Sequence, residues 1–329
     1  MRDCSGNRPA EFTRQQVSRI TLIARPVKYH YFRPSSDETA KQRNLVFLLI
    51  LMSKRPRPTP SNQAVEKAIF AFQMQRFDEA ERLASGVLSS NRGNILAAQV
   101  LGRALMMQNR HAEAIAPLQS AARRSSDPEI ETLLAVVLAA AGRDDEAFGQ
   151  LRQATARRPP FQPAFLELAS QLSKIGRFDE GIAVLESGLA LMPHAVDMRI
   201  GLGYLHLKRN DRVKARALFS QVRAAEPGRH EALVALAKVM AMDGEYASAA
   251  DLYRHALGLQ PDDVVARINL GKCLLEMGER DAGEEALRAA TRGSSQLAGQ
   301  AITALAAAPH GRFFLRPSVA AKFLRVERK

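Results

Sequence analysis

A small residue recurs at intervals of 33 or 34 residues along most of this chain, and this period restricts its fold more than any other feature. A second small residue lies twelve positions before each member of the series. The later series is Ala80, Ala114, Ala147, Gly181, Ala215, Ala249 and Gly283, and the earlier one is Ala68, Gly102, Ala135, Ala169, Gly203, Ala237 and Gly271. Seven units in nearly constant register predict an elongated array of repeats.

Each recurring position has a physical reason in a hairpin of two antiparallel helices. The two small residues let the helices approach closely, and a bulky residue four positions after the second one fills the space between hairpins. This residue is Leu, Phe or Tyr in every unit but the first, which has Ala84. A glycine five positions before the second small residue predicts a left-handed end to the first helix, and a proline twelve positions after it ends the second helix. The glycines are Gly142, Gly176, Gly244 and Gly278, and the prolines are Pro159, Pro193, Pro227 and Pro261.

This pattern resembles the tetratricopeptide repeat family over residues 61 to about 295. Leu202-Gly203, the run from Gly244 to Ala249, and the run from Tyr253 to Pro261 match the family pattern closely. The aromatic residue that the family carries in the first helix is replaced here by Leu, Met or His. The resemblance implies an all-α, right-handed α-solenoid of about seven helical hairpins in residues 61–294, followed by a C-terminal capping helix in the segment 295–329.

The two ends of the chain lack the period. Residues 1–60 read as an irregular basic extension. The apolar run from Leu45 to Met52 is either a signal peptide or membrane anchor or, as we favour, part of an untidy leader with the true start at Met52. Ser295 to Ala308 reads as one more amphipathic helix that covers the last hairpin. Beyond it, the cluster Phe313-Phe314-Leu315 either folds back on this helix, which we favour, or docks on a partner. We expect no membrane-spanning segment, because no apolar run reaches the required length.

The net charge of +13 is confined to the ends. Residues 1–60 carry twelve Lys and Arg against four Asp and Glu, and residues 309–329 carry six against one. The remaining residues, 61–308, hold 29 of each sign. A nucleic-acid-binding fold concentrates basic residues on its folded surface, so nucleic acid is a disfavoured partner.

No pattern for catalysis, cofactor binding or metal binding stands out. The Gly201-x-Gly203 pair falls inside a repeat helix, where small residues serve packing, and the seven histidines are scattered, most of them assigned to turns or solvated faces. His206, at the family's aromatic position, and Cys273 are interpreted as packing residues. The prediction is therefore a non-enzymatic protein without cofactor. Two cysteines at opposite ends of the chain suit a reducing, cytoplasmic compartment.

An array of helix pairs offers a concave surface lined by the first helix of each hairpin. The residue after the first small position is expected to face it, and Glu167 and Asn269 add neighbouring positions. The predicted partner-binding residues are Arg103, Ser170, Tyr204, Lys238, Asn269 and Lys272. Two interpretations are equally supported: a cradle for an acidic or carboxylate-ending peptide, or a surface that is polar only because it faces solvent. The carboxylate clamp of some family members is doubtful here, because Glu231 and Val234 stand where it needs cations or amides.

The function that these expectations favour is a protein–protein interaction scaffold, cytoplasmic and bacterial, that binds a protein or peptide in the concave groove. The bacterial origin is suggested by 36 Arg against 11 Lys. The alternative is a non-catalytic remnant or partner subunit of a repeat-containing transferase of the sulfotransferase or glycosyltransferase type. The sequence predicts neither the partner nor the oligomeric state.

Overall fold

The computed structural model describes residues 60–292, 298–308, 310–311 and 317–324, and the regular secondary structure of these ranges is helical. Its helices are α1 Pro60–Gln73, α2 Phe77–Ser90, α3 Ile95–Met107, α4 His111–Arg124, α5 Pro128–Ala140, α6 Asp144–Ala156, α7 Gln162–Lys174, α8 Phe178–Leu191, α9 Val196–Lys208, α10 Arg212–Ala225, α11 His230–Met242, α12 Tyr246–Leu259, α13 Val264–Glu276, α14 Arg280–Thr291, α15 Ala298–Ala307 and α16 Pro317–Phe323. Helices α1 to α14 form seven consecutive hairpins. The predicted all-α solenoid is confirmed.

The turn inside each hairpin uses one left-handed residue. Gly142, Gly176, Gly244 and Gly278 have φ between 77° and 82°, as the sequence predicts. In the other three hairpins the equivalent residues are Gln75, Asn109 and Asn210, with φ between 57° and 60°. The left-handed conformation is thus a property of the hairpin, and asparagine tolerates it better than most other non-glycine residues.

The two helices of each hairpin approach each other most closely at the small residues. A Cβ atom placed on Gly203 would lie 2.6 Å from Cε1 of Phe219, and one on Gly102 would lie 2.7 Å from Cδ1 of Leu118. Phe219 and Leu118 are fully buried bulky residues of the second helix in these hairpins. The bulky residue therefore packs inside its own hairpin, in the space that the small residue of the first helix leaves open. This confirms the predicted close approach of the two helices at the small residues, whereas the sequence analysis had placed the bulky residue between hairpins.

The first helices line the concave side of the array. Within the described residues, each first helix packs on its own partner and also on the first helix of the next hairpin, along the series α1, α3, α5, α7, α9, α11 and α13. The second helices of neighbouring hairpins show no comparable contact there. Because neighbouring hairpins are in contact through their first helices and are further apart at their second helices, the array curves toward the first helices. The first helices therefore form its concave side.

The C-terminal end of the array is covered by two helices. Ala301 and Leu305 of α15 are fully buried against Leu275 and Leu287, which confirms the predicted capping helix. Leu324, directly after α16, is also buried in this cluster. No helix of the described residues is long and apolar enough to cross a membrane.

Three expectations from the sequence lie outside the described residues: the irregular extension up to position 59, the apolar run Leu45 to Met52 within it, and the cluster Phe313-Phe314-Leu315. The first three positions of the predicted capping helix, 295–297, also lie outside them.

Candidate partner-binding groove

The groove is the concave face of the first helices α3, α5, α7, α9, α11 and α13. Five of the six predicted site residues occupy the ninth position of a first helix, because the first helices from α3 to α13 start at the same point of the repeat. They are Arg103 on α3, Ser170 on α7, Tyr204 on α9, Lys238 on α11 and Lys272 on α13, while Asn269 is the sixth residue of α13. The structure thus brings them to one face, in a series that follows the stacking direction.

The C-terminal half of the groove presents accessible polar groups. Lys238 and Lys272 are exposed, and Tyr204 and Asn269 are partly exposed. The ring of Tyr204 packs edge-on against Phe219, with 5.3 Å between the ring centroids. This contact anchors one side of the tyrosine ring in the hairpin core and leaves the other side to the groove.

Asn269 is held by a buried residue of a second helix, which the sequence analysis did not connect with the groove. Its side chain is hydrogen-bonded to the hydroxyl of Tyr253, which lies on the second helix of the preceding hairpin and is 1% exposed. Burial raises the pKa of the Tyr253 hydroxyl, so it stays protonated. A hydrogen bond to a buried hydroxyl restricts the orientation of a side-chain amide, so Tyr253 holds Asn269 in place.

The N-terminal half of the groove presents fewer accessible polar side chains. The guanidinium of Arg103 lies 3.4 Å from the carboxylate of Glu129 on the next first helix, so it is already engaged. Ser170 is only 5% exposed and presents little surface to a partner. Ile69 on α1 and Val136 on α5, which stand at the corresponding point of the repeat, are apolar.

A buried ion-pair cluster, which the sequence analysis missed, lies at the N-terminal ends of α9 and α11. We call Arg229, Asp197 and Glu231 the Arg229 cluster. Arg229 precedes α11, is 7% exposed, and forms ion pairs with Asp197 and with Glu231, whose Oε2 lies 3.1 Å from its Nε. Gln162 at the start of α7 donates a hydrogen bond of 3.1 Å to the second oxygen of Asp197. The cluster therefore joins three consecutive hairpins across one edge of the groove.

One signal in the sequence points to this edge. The second residue of the first helix is acidic in three hairpins, as Glu129, Asp197 and Glu231, and in each case the structure provides an arginine from a neighbouring segment. Negative charge near a helix N-terminus is favourable, but the arginine partners come from different positions of the repeat and could not be assigned from spacing.

The charge balance of the Arg229 cluster is unfavourable for its acids. Burial raises the pKa of Asp197, and the nearby charge of Glu231 adds to this rise, whereas Arg229 opposes it. A single guanidinium therefore faces the buried carboxylate of Glu231 and the partly exposed carboxylate of Asp197, and it also lies 3.4 Å from the carboxylate of Glu226. An ion pair of this kind adds little net stability relative to apolar packing, but removal of one partner is costly.

His230 was assigned with other histidines to a turn or solvated face, and this is wrong. It is the first residue of α11 and is 3% exposed. Its Nε2 lies 3.2 Å from Oδ2 of Asp263, whose Oδ1 accepts a hydrogen bond from the backbone N–H of Ala266. Asp263 thus caps α13 and contacts the start of α11, which connects the last two first helices of the groove.

Two further residues behave as the sequence suggests. Cys273 is 2% exposed, and burial raises the pKa of its thiol to about 11, which is the environment of a packing cysteine rather than a reactive one. His206 is 5% exposed and its pKa is lowered, chiefly by burial. Among the described residues, no group of three His, Cys, Asp or Glu side chains is arranged to hold a metal ion.

Comparison with known proteins gives a family match and several similar solved structures. A tetratricopeptide repeat family model matches residues 71–137, 172–239 and 240–309. No curated protein matches this sequence at the same level of significance.

The similar structures are alike in fold and distant in sequence. A tetratricopeptide repeat protein from Parabacteroides merdae is 15% identical, with a TM-score of 0.55, over 80% of this chain and 97% of that one. The human IFIT1 dimer with m7Gppp-AAAA is 15% identical, with a TM-score of 0.56, over 82% of this chain and 68% of that one. The APC/C hetero-tetramer Cut9–Hcn1 is 16% identical, with a TM-score of 0.51, over 71% of this chain and 46% of that one, so the matched part spans less than half of that relative.

The repeat period, the seven hairpins and the family match all agree, and the match covers more than half of the residues. Repeats of this kind are protein-interaction scaffolds. This chain belongs to the tetratricopeptide repeat family.

Proposed function

We propose that the C-terminal half of the groove binds a segment of a partner protein, and that Tyr204, Lys238, Asn269 and Lys272 contact it. The observation that carries the proposal is the contrast between the two halves. In the C-terminal half two lysines are exposed at ninth positions, and Asn269 is oriented by Tyr253. In the N-terminal half Arg103 is engaged by Glu129, and Ser170 is buried.

The partner segment is acidic or ends in a carboxylate. The ammonium groups of Lys238 and Lys272 supply charge-assisted hydrogen bonds, and the Asn269 amide and the Tyr204 hydroxyl supply neutral ones. Exposed ion pairs each contribute little and weaken with salt, so affinity comes from several such contacts acting together. Arg103 and Ser170, which the sequence also suggested, would have a minor part.

The protein is proposed to act without catalysis and without a cofactor, in the cytoplasm of a bacterium. The reasons are the scaffold fold, the reducing compartment suggested by cysteine usage, and the preference for arginine over lysine. Association with a repeat-containing transferase stays a prediction, to be decided by the identity of the captured partner.

The test starts with the full-length protein as bait in extracts of the native organism, with mass spectrometry of what it retains. Calorimetric titration at two ionic strengths then compares the wild type with the double variant Lys238→Ala and Lys272→Ala. We expect the double variant to bind roughly tenfold to a thousandfold more weakly, with unchanged helicity. Unchanged affinity, or binding that instead depends on Phe313 and Phe314, would refute the groove as the binding surface.

A further inference from the structure

Positive charge collects at one edge of the array, where each second helix ends and the next first helix begins. The first three connections at this edge are residues 91–94, 125–127 and 157–161. Together with the last four residues of the second helices before them, they contain five arginines and one acid, Asp127. The arginines are Arg92, Arg123, Arg124, Arg157 and Arg158. We call Arg92, Arg123, Arg124 and Arg158, which are all exposed, the basic edge.

The same positions later in the array are not basic. The connections 192–195, 226–229 and 260–263, taken with the last four residues of the helices before them, contain three acids and two arginines. One of these arginines is Arg229, which is buried in the Arg229 cluster. Basic residues are favourable at the C-terminal end of a helix, but α8 and α12 have none in their last turns. The repeat therefore does not require the basic edge.

The acids near the basic edge are engaged by other groups. Asp127 Oδ1 accepts a hydrogen bond of 2.9 Å from the backbone N–H of Glu129. The Glu129 carboxylate lies 3.4 Å from the Arg103 guanidinium, and the buried Glu131 carboxylate lies 2.6 Å from that of Arg157. Within the part of the chain that the structure describes, none of the four arginines of the basic edge forms an ion pair with a carboxylate. Their positive charge is therefore available to an anionic partner.

The basic edge forms one continuous surface. First helices in contact lie about 8–10 Å apart, so its three connections cover roughly 20 Å. Nη1 of Arg124 would lie 3.9 Å from a Cβ atom placed on Gly93, so this guanidinium reaches the connection that carries Arg92. Nη1 of Arg158 donates hydrogen bonds to three carbonyls at the end of α6, the shortest being 2.8 Å to its neighbour Arg157. These acceptors are neutral, so the charge of Arg158 is not cancelled.

The chain also enters the array at this edge. α1 is a first helix that begins at Pro60, and it packs on α3, which begins directly after the first connection. Positions 52–59 contain Lys54, Arg55 and Arg57 and no acid. Because a chain extends by at most about 3.6 Å per residue, these cations stay within roughly 22 Å of the start of α1. The sequence thus adds three cations to the four of the basic edge.

An apolar run precedes these three cations. Leu45 to Met52 are eight consecutive apolar residues with basic residues on both sides. Stable attachment to a membrane surface takes two signals, and an apolar segment beside a group of cations that attract anionic lipid supplies both. Single-stranded nucleic acid is the other polyanion to consider, but it binds through successive stacking aromatics as well as cations. The described residues expose one aromatic side chain, that of Phe70.

We infer that the basic edge contacts the surface of a bilayer containing anionic phospholipids, and that the run from Leu45 to Met52 inserts between the lipids. A membrane anchor is one of the two interpretations that the sequence left open for this run, and the structure places a basic surface beside it. The site is separate from the proposed partner-binding groove. Lys238 and Lys272 are ninth residues of first helices, about 12 Å along the helix from this edge, so the groove stays accessible on a docked protein.

The experiment uses the full-length protein and sedimentation with two kinds of vesicle. One is phosphatidylcholine alone, and the other contains about 30% phosphatidylglycerol, which is anionic. At low salt the wild type should bind the anionic vesicles at least about tenfold more tightly than the neutral ones, and added salt should reduce this difference. Equal binding to both compositions would overturn the inference, because the charge of the lipid surface would then have no effect.

Variants then locate the contact. Changing all four arginines of the basic edge to glutamine should weaken binding to the anionic vesicles by about tenfold or more, with unchanged helicity by circular dichroism. The matched control changes four exposed cations elsewhere to glutamine, so it lowers the net charge equally and should leave binding within about threefold. Its positions are Arg82 on α2, Lys174 on α7, Lys208 on α9 and Lys322 on α16. Equal losses in the two variants would overturn the inference, since net charge alone would then explain the binding.

A change in the apolar run tests the insertion. Leu48→Asp with Ile50→Asp should weaken binding to the anionic vesicles by about tenfold or more, because charged side chains are costly among lipid tails. The matched control, Ser35→Asp with Ser36→Asp, adds the same charge outside the run and should cost less than about threefold. Equal losses in the two variants would overturn the insertion of the run.

A comparison with nucleic acid tests the choice of partner. Single-stranded and double-stranded RNA should bind the wild type more weakly than the anionic vesicles do, at the same salt concentration. If either RNA binds more tightly than the vesicles and loses affinity in the four-arginine variant, the basic edge is a nucleic-acid site and the membrane inference is wrong.

Discussion

Arg229 Nε lies 3.1 Å from Oε2 of Glu231, and both side chains are more than nine-tenths buried at the joint between α9 and α11. The same guanidinium also forms an ion pair with Asp197. Because the cluster joins hairpins rather than residues of one hairpin, it sets the relation between the helices that carry Tyr204 and Lys238.

Arg229→Leu should therefore lower the free energy of unfolding by about 3–5 kcal/mol, since it leaves the buried carboxylate of Glu231 and the partly buried carboxylate of Asp197 without their cation. Chemical denaturation monitored by circular dichroism gives the value. Arg177→Ala is the matched control, because its ion pair with Glu180 is exposed and its removal should cost about 0–1 kcal/mol. Similar losses in the two variants would mean that the Arg229 cluster does not hold the joint.

Lowering the pH should change the contributions of Asp197 and Asp211 to the free energy of unfolding in opposite directions. Burial raises the folded-state pKa of Asp197 above the ordinary value of 3.8, so its ionisation costs stability at neutral pH. That cost disappears as pH falls through the raised pKa, and it is absent below the unfolded value. The wild type should therefore gain stability relative to Asp197→Asn as the pH is lowered.

For Asp211 the backbone N–H of Lys214 lowers the folded-state pKa, so its contribution is present above 3.8 and is lost as pH falls through the lowered pKa. The wild type should lose stability relative to Asp211→Asn over that range. Unfolding free energies of the three proteins between pH 7 and pH 3 test both signs, and parallel curves would contradict them.

Gly203→Leu should lower the free energy of unfolding by about 1–3 kcal/mol or more, because even a Cβ at this position would lie 2.6 Å from Phe219. The control is Gly258→Ala in α12, where an added Cβ meets no atom within 4 Å. That change should raise stability by about 0.5–1 kcal/mol through helix propensity. Thermal melts followed by circular dichroism measure both, and an unchanged midpoint for Gly203→Leu would contradict the close packing.

Tyr253→Phe should weaken partner binding more than it weakens the fold. It removes the hydroxyl that orients Asn269, and the half-exposed amide then bonds to water, at a cost of about 1 kcal/mol in unfolding free energy. Affinity should fall to about the level of Asn269→Ala, and the double variant should bind no worse than either single one. Tyr246→Phe, on the same helix, is the control. Additive losses would show that Tyr253 does not act through Asn269.

The C-terminal cap, formed by α15 and α16, should slow hydrogen exchange in the last hairpin. Thr291 donates a hydrogen bond of 3.2 Å to the carbonyl of Leu324, and the Arg288 guanidinium stacks over the Phe323 ring at 4.2 Å. Leu324→Ala should cost about 2–5 kcal/mol locally. Hydrogen exchange should therefore accelerate in α14 while α8 is unaffected, since a solenoid transmits damage mainly to its neighbours. Equal acceleration in both helices would contradict a local role for the cap.

Much of the fold was accessible from the sequence because its determinants repeat. Left-handed turns, close helix contacts and helix ends depend on residues within one unit of about 34 positions, so each prediction was supported several times over. Gly244 illustrates this, since its position alone predicted the positive φ that the structure shows. The placement of Lys238 and Lys272 on one face followed from the same register.

The tertiary structure decided which polar groups of that face are already engaged. Arg103 and Ser170 share the register of Lys238, yet one is paired with Glu129 and the other is buried. The sequence analysis assigned His230 to a turn or solvated face and did not single out Arg229, but the approach of neighbouring hairpins buries both against acids. The sequence by itself determined the period and the face, because these follow from local helix geometry. The ion pairs depend on how far one hairpin rotates on the next, and only the packed array determines that rotation.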